Sequence, residues 1–469
     1  NNNIGFAQNW SRARILDGPG FLDILAQKRY SELSSSELAG NEFVFDDPRG
    51  LSGDKLLHWY NYGRAVKLDQ VPSEVDLVSV WMSRLGRVDR EIECYKNGIE
   101  TDWADYLYPK AALQQQYQVS VSNRNEKNSY YISASYTNKE GARVGMGYEA
   151  ISARVNIDSY INKWLTVGMN TMLNLRDNSQ VQTQDDRRVW SPYTTNEIDN
   201  PDSPYYRYTT GSGITNPFLE AKYTDKFGKN ISLNSNVFGK VILPWGFEFK
   251  STFTPTFLGN ILFTHKSSKN PQWQASNIRT EREHQDQYNW QLDNVLSWNQ
   301  TFGNHRIEAS FIQNAEKRQQ WVTRAQGWDF SPSDVLSYHG LYNSQSSSVG
   351  SNDTYSTADA LVGRLFYQFK GRYSINATVR RDGYSEFGAD LKTGVFPAMA
   401  GSWTFSEEPF AKKWEWLDYG KIRLSWGING HRNLSVGEGL AKVSVDNRYL
   451  RIDQDGKGYA VAGSMISGK

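Results

Sequence analysis

Period-two alternation, arranged in pairs of segments joined by very short turns, constrains this chain more than any other feature. Tyr373, Ile375, Ala377 and Val379 fall on one side of an extended segment, and Ser374, Asn376, Thr378 and Arg380 on the other. Ile422, Leu424, Trp426 and Ile428 repeat the pattern against Arg423, Ser425 and Gly427. A strand with one apolar and one charged face meets two different solvents.

Reading the whole chain this way gives about thirteen candidate strands. Five tight hairpins stand out: 117–123 with 130–137, 151–158 with 165–175, 231–243 with 247–257, 288–301 with 305–316, and 361–369 with 373–380. The connections between hairpins, 176–230, 258–287 and 317–360, are long and rich in Asn, Ser, Asp, Gly, Pro and aromatics. In an up-and-down sheet this sorts long loops to one end and short turns to the other, the pattern of an outer-membrane barrel. No period of a propeller or solenoid is visible.

Composition supports a sheet protein. Only 38% of the 469 residues are apolar while 14% are aromatic, and aromatic side chains suit pleated surfaces. No run approaches the roughly 18 apolar residues of a spanning helix, and the start, Asn1-Asn2-Asn3-Ile4-Gly5-Phe6, has no signal-peptide pattern. A membrane barrel remains open, because its strands need only every second residue apolar. The formal net charge of +1 leaves no footprint for nucleic acid. The lone Cys94 can form no internal disulfide.

Two faces are expected. Tyr117, Val119 and Val121 share one, as do Leu165, Val167, Met169, Leu173 and Leu175, and Phe247, Phe249 and Phe253. The opposite faces carry Arg154, Asn156, Glu248, Lys250, Arg364, Gln368 and Arg423, a water-facing wall. Tyr136, Trp164, Trp245, Tyr288, Trp298, Tyr373 and Trp403 lie near strand ends, where aromatic girdles form. A large soluble β-sandwich with polar residues outside would share the periodicity; the alternation of loop lengths favours the barrel.

Several strings resemble the SusC/RagA family of TonB-dependent outer-membrane transporters from Bacteroidetes. They are Thr101-Asp102-Trp103 with the strand 111–122, Asn128 to Tyr136 followed by Glu140-Gly141, and Arg154-Val155-Asn156. Further on come the segment from Thr378 through Arg381-Asp382-Gly383 to Gly388, Phe396-Pro397 with Trp403, Glu407-Glu408-Pro409-Phe410, and 421–429. Trp426 and His431 depart from the commoner residues of the last motif. Barrels of this kind have about 22 strands.

The resemblance implies an all-β chain holding part of one transmembrane antiparallel barrel, about its N-terminal half. The plug, the TonB-contacting box and the later strands would lie outside it, and the chain could not transport by itself. Residues 1–108 are expected as a first strand plus a long, partly helical extracellular loop, with a helix over 20–38. Residues 109–430 are expected as the meander, and 431–469 as an extracellular loop or incomplete end. Within the meander, 381–394 is expected as an external loop and 407–420 as a long periplasmic turn. The implied partners are a SusD-like lipoprotein acting as a lid, the TonB complex through the plug, outer-membrane lipid, and an oligosaccharide or peptide substrate. The implied location is the outer membrane.

No constellation for catalysis is found. His58, His265, His284, His305, His339 and His431 are isolated from one another. Gly211-Ser212-Gly213 and Gly145-Met146-Gly147 lack the strand–helix setting of a nucleotide motif. Asp46, Asp47, Asp54, Asp185, Asp186, Asp199 and Asp202 are loop carboxylates with no EF-hand pattern. No catalytic residue, metal ligand or cofactor is therefore assigned. The rival readings are a secreted or surface glycan-binding protein and a β-sandwich glycoside hydrolase.

The loops do carry aromatics, Trp190, Tyr193, Tyr205, Tyr206, Tyr208, Trp273, Trp321, Trp328 and Tyr338. Flat rings in a wet cavity offer stacking faces to sugars and contact area to peptides. Trp190, Tyr193, Tyr205, Tyr206, Tyr208 and Trp328 are the candidate substrate contacts. The alternative is that such rings pack loops together or join the girdle.

Overall fold

Strands form where the alternation lies, and each bonds to its neighbour in the chain. The computed structural model describes residues 2–8, 16–184, 190–209, 214–271, 279–330, 335–387 and 392–430, plus four short strands beyond. The elements are β1 (Asn2–Gln8), β2 (Ala111–Arg124), β3 (Asn128–Glu140), β4 (Gly147–Tyr160), β5 (Leu165–Asp177), β6 (Thr224–Ile242) and β7 (Phe247–Lys266). There follow β8 (Arg279–Phe302), β9 (His305–Phe330), β10 (Ser344–Ser351), β11 (Thr354–Phe369), β12 (Tyr373–Tyr384), β13 (Thr393–Trp403) and β14 (Ile422–Gly427).

Thirteen of these make one antiparallel meander, β1 to β9 and then β11 to β14, with β10 also on β9. β10 and β11 keep a single register, Ser351 opposite Thr323 and Thr354 opposite Gln320, so they are one long strand interrupted at 352–353. Beyond residue 430, Lys442–Ser444 pairs with Met465–Ser467, and Leu450–Ile452 with Gly458–Ala460.

All five expected hairpins are present, and their turns have local causes. The Asn162 carboxamide accepts the N–H groups of Trp164 (2.9 Å) and Leu165 (2.8 Å), fixing the turn from β4 to β5. Gly246, at φ +83°, closes the turn from β6 to β7, and a Cβ there would meet the Asn299 carbonyl at 2.8 Å.

Register aligns the apolar side chains into rows across the sheet. Tyr117, Tyr136, Ile151, Leu175 and Ile231 lie side by side; so do Ala309, Leu365, Ala377, Met399 and Trp426. This face is uncovered, with Val119 78% and Leu424 76% exposed. A single-layer sheet with a bare apolar face needs lipid for a solvent, whereas a sandwich would cover that face with a second sheet.

Aromatics mark both borders of the apolar band. Phe247 lies 6.1 Å from Trp298, and Phe369 6.4 Å from Tyr373, at the short-turn end. Tyr117 stacks on Tyr136 (6.5 Å) and Phe253 approaches Trp290 (6.4 Å) nearer the loop end. Ten residues of strand, Phe247 to Phe257, span roughly 33 Å. At a tilt of about 40° that is about 25 Å of bilayer, the height of a barrel's apolar band.

Three expectations are corrected. The loops expected at 258–287 and 317–360 are largely strand, because β7 runs on to Lys266, β8 begins at Arg279 and β9 reaches Phe330. Beyond the bilayer both faces are wet, so ladder pairing continues without alternation. Arg381-Asp382-Gly383 lies in β12, paired to β11 and β13, and not in an external loop. Trp321 and Trp328 accordingly sit on a strand.

Between β1 and β2 the chain builds a helical lobe at the long-loop end. It contains α1 (Gly18–Ser31), α2 (Ser35–Leu38), α3 (Gly53–Asn61), α4 (Leu77–Arg84), α5 (Asp89–Lys96) and α6 (Trp103–Leu107), six helical segments where the sequence suggested one. Asp17 caps α1 by accepting from Gly20 N–H (2.9 Å). Ser34 and Glu37 form a capping box on α2. Phe21, Leu22, Val44, Trp59, Trp81, Met82, Leu85 and Ile92 fill the lobe's core, each worth roughly 1.5–3 kcal/mol or more of burial.

Candidate functional site

The face of the sheet opposite the apolar rows is a polar wall. Arg154, Asn156, Glu248, Lys250, Arg364, Gln368 and Arg423 all lie on it, as the alternation requires. Neutral amides and hydroxyls pair from strand to strand: Ser152 Oγ with Asn174 Oδ1 (3.0 Å), Asn230 Nδ2 to Asn260 Oδ1 (2.6 Å), Asn234 Nδ2 to Thr256 Oγ1 (2.9 Å) and Asn236 Nδ2 to Thr254 Oγ1 (3.1 Å). Asn314 donates to Asp293 (2.8 Å). Such ladders hold a hydrated surface in fixed geometry.

On this wall lies an open concavity of about 530 Å³, bordered by Asn234, Thr256, Asn289, Glu316, Arg318 and Tyr384. The buried Oδ1 atoms of Asn289 and Asn314 accept no hydrogen bond from the protein. Acceptors left without a protein donor suit a ligand rich in hydroxyl or amide donors. Sequence reasoning assigned polar strand faces to water but could not single out Asn289 or Asn314, since only register brings them beside Arg318 and Asp293.

Above the wall, the segment after β5 is clasped to the helical lobe. Thr101 N–H donates to Pro192 O (2.7 Å), and the Trp103 indole to Ser191 O (3.1 Å). Trp190 lies against Trp103, ring centres 6.0 Å apart. Tyr193 packs edge-on to Tyr95 at 5.1 Å within the lobe core. Tyr205 O–H donates to Arg90 O (2.6 Å) and also meets the buried Cys94 thiol (2.9 Å). Burial raises the pKa of Tyr193 and Tyr205, and burial together with its hydrogen bond to Tyr223 pushes Tyr206 up to about 12.

The six aromatic candidates therefore separate. Trp190, Tyr193 and Tyr206 are only 2%, 5% and 6% exposed; their faces are filled by protein, so their expected stacking role gives way to an interlocking one. Tyr205 is half-buried, its hydroxyl engaged. Tyr208 is half-buried with the Arg207 guanidinium 4.6 Å from its ring centre. Trp328 is half-buried on β9, on the same side of the strand as Arg318 and opposite Arg279 of β8. Tyr338 packs on Phe263 (5.9 Å).

The remaining loop residues have local roles. Asp46 accepts from Tyr30 O–H (2.8 Å), and Asp47 pairs with Arg49. Among the described residues no group of three or more metal-ligating side chains converges. Asp185, Asp186, Gly211-Ser212-Gly213, Trp273 and His431 lie outside the described residues.

A wall with one lipid-facing and one wet face, short turns at one end and a loop-and-lobe cap at the other, defines a segment of an outer-membrane β-barrel. No family model matches the chain. It is 26% identical over 442 residues to TonB-dependent receptor P3 of Formosa agariphila, covering 90% of this chain and 43% of that protein. It is 25% identical over 396 residues to TonB-dependent receptor SusC of Bacteroides thetaiotaomicron, covering 75% and 37%. Among solved structures it superposes on the RagAB peptide transporter with a TM-score of 0.72 at 18% identity, covering all of this chain and 50% of that one.

The chain is thus similar over most of its length to TonB-dependent receptors, SusC among them, and has the fold of part of a TonB-dependent transporter barrel. It spans less than half the length of the curated relatives it matches. Those relatives are receptors and not enzymes.

Proposed function

We propose that the protein to which this chain belongs imports oligomeric nutrients across the outer membrane, with this chain forming part of the barrel wall and the substrate-facing loops. TonB, acting through a plug, supplies the energy, and a SusD-like surface lipoprotein closes over the loop-and-lobe end. The observation that carries this reading is the wall of paired amides and hydroxyls on the face turned away from lipid. A neutral, donor-rich surface is suited to a glycan, whose hydroxyls exchange water for wall contacts at little cost. Trp328, Tyr208 and, through its ring, Tyr205 are proposed to meet the substrate, while Trp190, Tyr193 and Tyr206 hold the loop that carries them.

The test is uptake by cells producing the full-length protein beside a deletion strain, supplied with labelled neutral oligosaccharides and, separately, oligopeptides. Deletion should abolish uptake of one class. Arg at Asn289 (Asn289→Arg) should lower it without loss of the protein from the outer membrane. Unchanged uptake of both classes would defeat the proposal. Solubility of the full-length protein without detergent would favour a surface glycan-binding protein, and glycan cleavage by the purified protein would favour the hydrolase.

A further inference from the structure

The lipid-facing side of the sheet changes chemistry at one height. On β9 its outward positions run Ile307, Ala309, Phe311, Gln313, Ala315 and then Lys317; on β12 they run Ile375, Ala377, Val379 and then Arg381. Ten residues of strand lie between Ile307 and Lys317, about 33 Å of chain. At barrel tilt that places Lys317 about 25 Å above the short-turn border, where hydrocarbon gives way to the headgroups of the outer leaflet.

At that height the outer face is hollowed by about 480 Å³, between Trp290, Ala315, Lys317, Asp359, Arg381 and Lys392. Lys317 lies opposite Trp290 on one side and Thr357 on the other. It is half-buried, and among the described residues no carboxylate pairs with it. Arg381 is paired with Asp359, yet a guanidinium keeps donors beyond those one carboxylate can take. Lys392 Nζ donates to the carbonyls of Ser385 (2.7 Å) and Phe387 (2.8 Å), neutral acceptors that leave its charge uncompensated. Three cations against the carboxylates of Asp359 and Glu316 leave the hollow with a net positive charge of +1. Glu316 borders it although its strand position alternates to the opposite, wet face; Lys317, Trp290 and Thr357, outward by register, reach the rim of the wet-face concavity as well.

Lone lysines at a membrane border ordinarily extend into water. Here three cations from two strands and a loop converge on one recess whose floor is continuous with the apolar band, and Arg supplies a fork suited to phosphate oxygens. We propose that this recess seats the phosphorylated headgroup of an outer-leaflet lipid. Lys317 and Arg381 hold the phosphate, Lys392 closes over it from the loop, and the acyl chains lie along Phe311, Leu361 and Val379. The fixed lipid would anchor the loop side of β9 to β12 at a set depth.

The full-length protein is placed in nanodiscs of phosphatidylethanolamine containing either monophosphorylated lipid A or the same lipid A after removal of its phosphate. Lipid A kept through detergent re-extraction is then measured by mass spectrometry. The phosphorylated form should be retained and the phosphate-free form lost. Lys317→Gln with Arg381→Gln should lower retention by about thirtyfold, roughly fivefold for each cation, whereas Lys250→Gln on the wet face should not change it. Excess inorganic phosphate should fail to displace the lipid. Equal retention of the two lipids, unchanged retention in the double variant, or displacement by inorganic phosphate would each overturn the assignment. The lipid comparison needs no substitution, and Lys317→Gln alone, expected to cost about fivefold, serves if the double variant does not fold.

Discussion

Tyr373 and Glu408, 35 residues apart in sequence, meet at 2.6 Å on the short-turn side of the wall, the phenol donating to the carboxylate. Glu408 also accepts from the Trp403 indole (3.2 Å) and pairs with Arg372 (3.0 Å), so one carboxylate ties the turn before β12 to the long turn after β13. The Tyr373 hydroxyl first, then Trp403 and Arg372, hold its pKa below the usual carboxylate range. A depressed pKa adds stability that is present above the unfolded-state pKa and is lost as pH falls through the folded one. Thermal unfolding of the full-length protein should therefore lose stability on acidification below the carboxylate range. Glu408→Gln should start lower and lose less across the same titration; parallel curves would show that Glu408 is not responsible.

On the lipid face, Asn294 donates to Gln313 at 2.6 Å inside the apolar band. Hydrocarbon offers neither amide another partner. Gln313→Leu should cost about 1–3 kcal/mol by stranding Asn294, while the double change to leucine should restore most of it. Urea unfolding in lipid vesicles over this double-mutant cycle reads the coupling, and additive losses would show the pair to be independent.

The Arg84 guanidinium is buried in the lobe, donating to the carbonyls of Val44 (2.7 Å) and Trp59 (3.0 Å) and lying 4.4 Å from the Trp59 ring centre. Burial draws its pKa down to about 10, which leaves it charged at neutrality. Arg84→Met should orphan those carbonyls at a cost of roughly 2–3 kcal/mol. Hydrogen exchange should report it as lost protection in α3 and α4 with the sheet unchanged. Arg84→Lys should recover only part, because an ammonium lacks the planar fork.

Trp190→Ala should open a cavity beside Trp103 at a cost of about 3–5 kcal/mol. Limited proteolysis of the full-length protein should then cut within 190–209, while the barrel's own unfolding transition stays in place. Unchanged protection of that segment would mean that the backbone clasp suffices without the ring.

The membrane-embedded strands were legible to within a few residues. The sequence reading 165–175 became Leu165–Asp177, and 373–380 became Tyr373–Tyr384. Bilayer on one face and water on the other write an alternation that needs no further context. Above the bilayer that writing stops: Glu281, Arg282, Glu283 and His284 are four polar residues in succession, yet all are in ladder register with β7 and β9. For the same reason Arg381-Asp382-Gly383 read as a loop. The lobe was harder, since α3, α4 and α5 have only eight or nine residues each and their packing partners come from distant segments. Among the candidate contacts, sequence found the aromatics but not their burial, because what fills the faces of Trp190 and Tyr193 lies some ninety residues away.

The clasp of Thr101 and Trp103 on Pro192 and Ser191 also bears on how such a receptor can diversify. Two stretches encoded almost a hundred codons apart, and separated by four strands, are complementary halves of one body at the long-loop end. Recombination that replaced the segment after β5 alone would bring in a donor loop with no matching docking surface. New outer surfaces would then be inherited as matched pairs of segments, and chimeras made in the laboratory should exchange 16–108 together with 190–209.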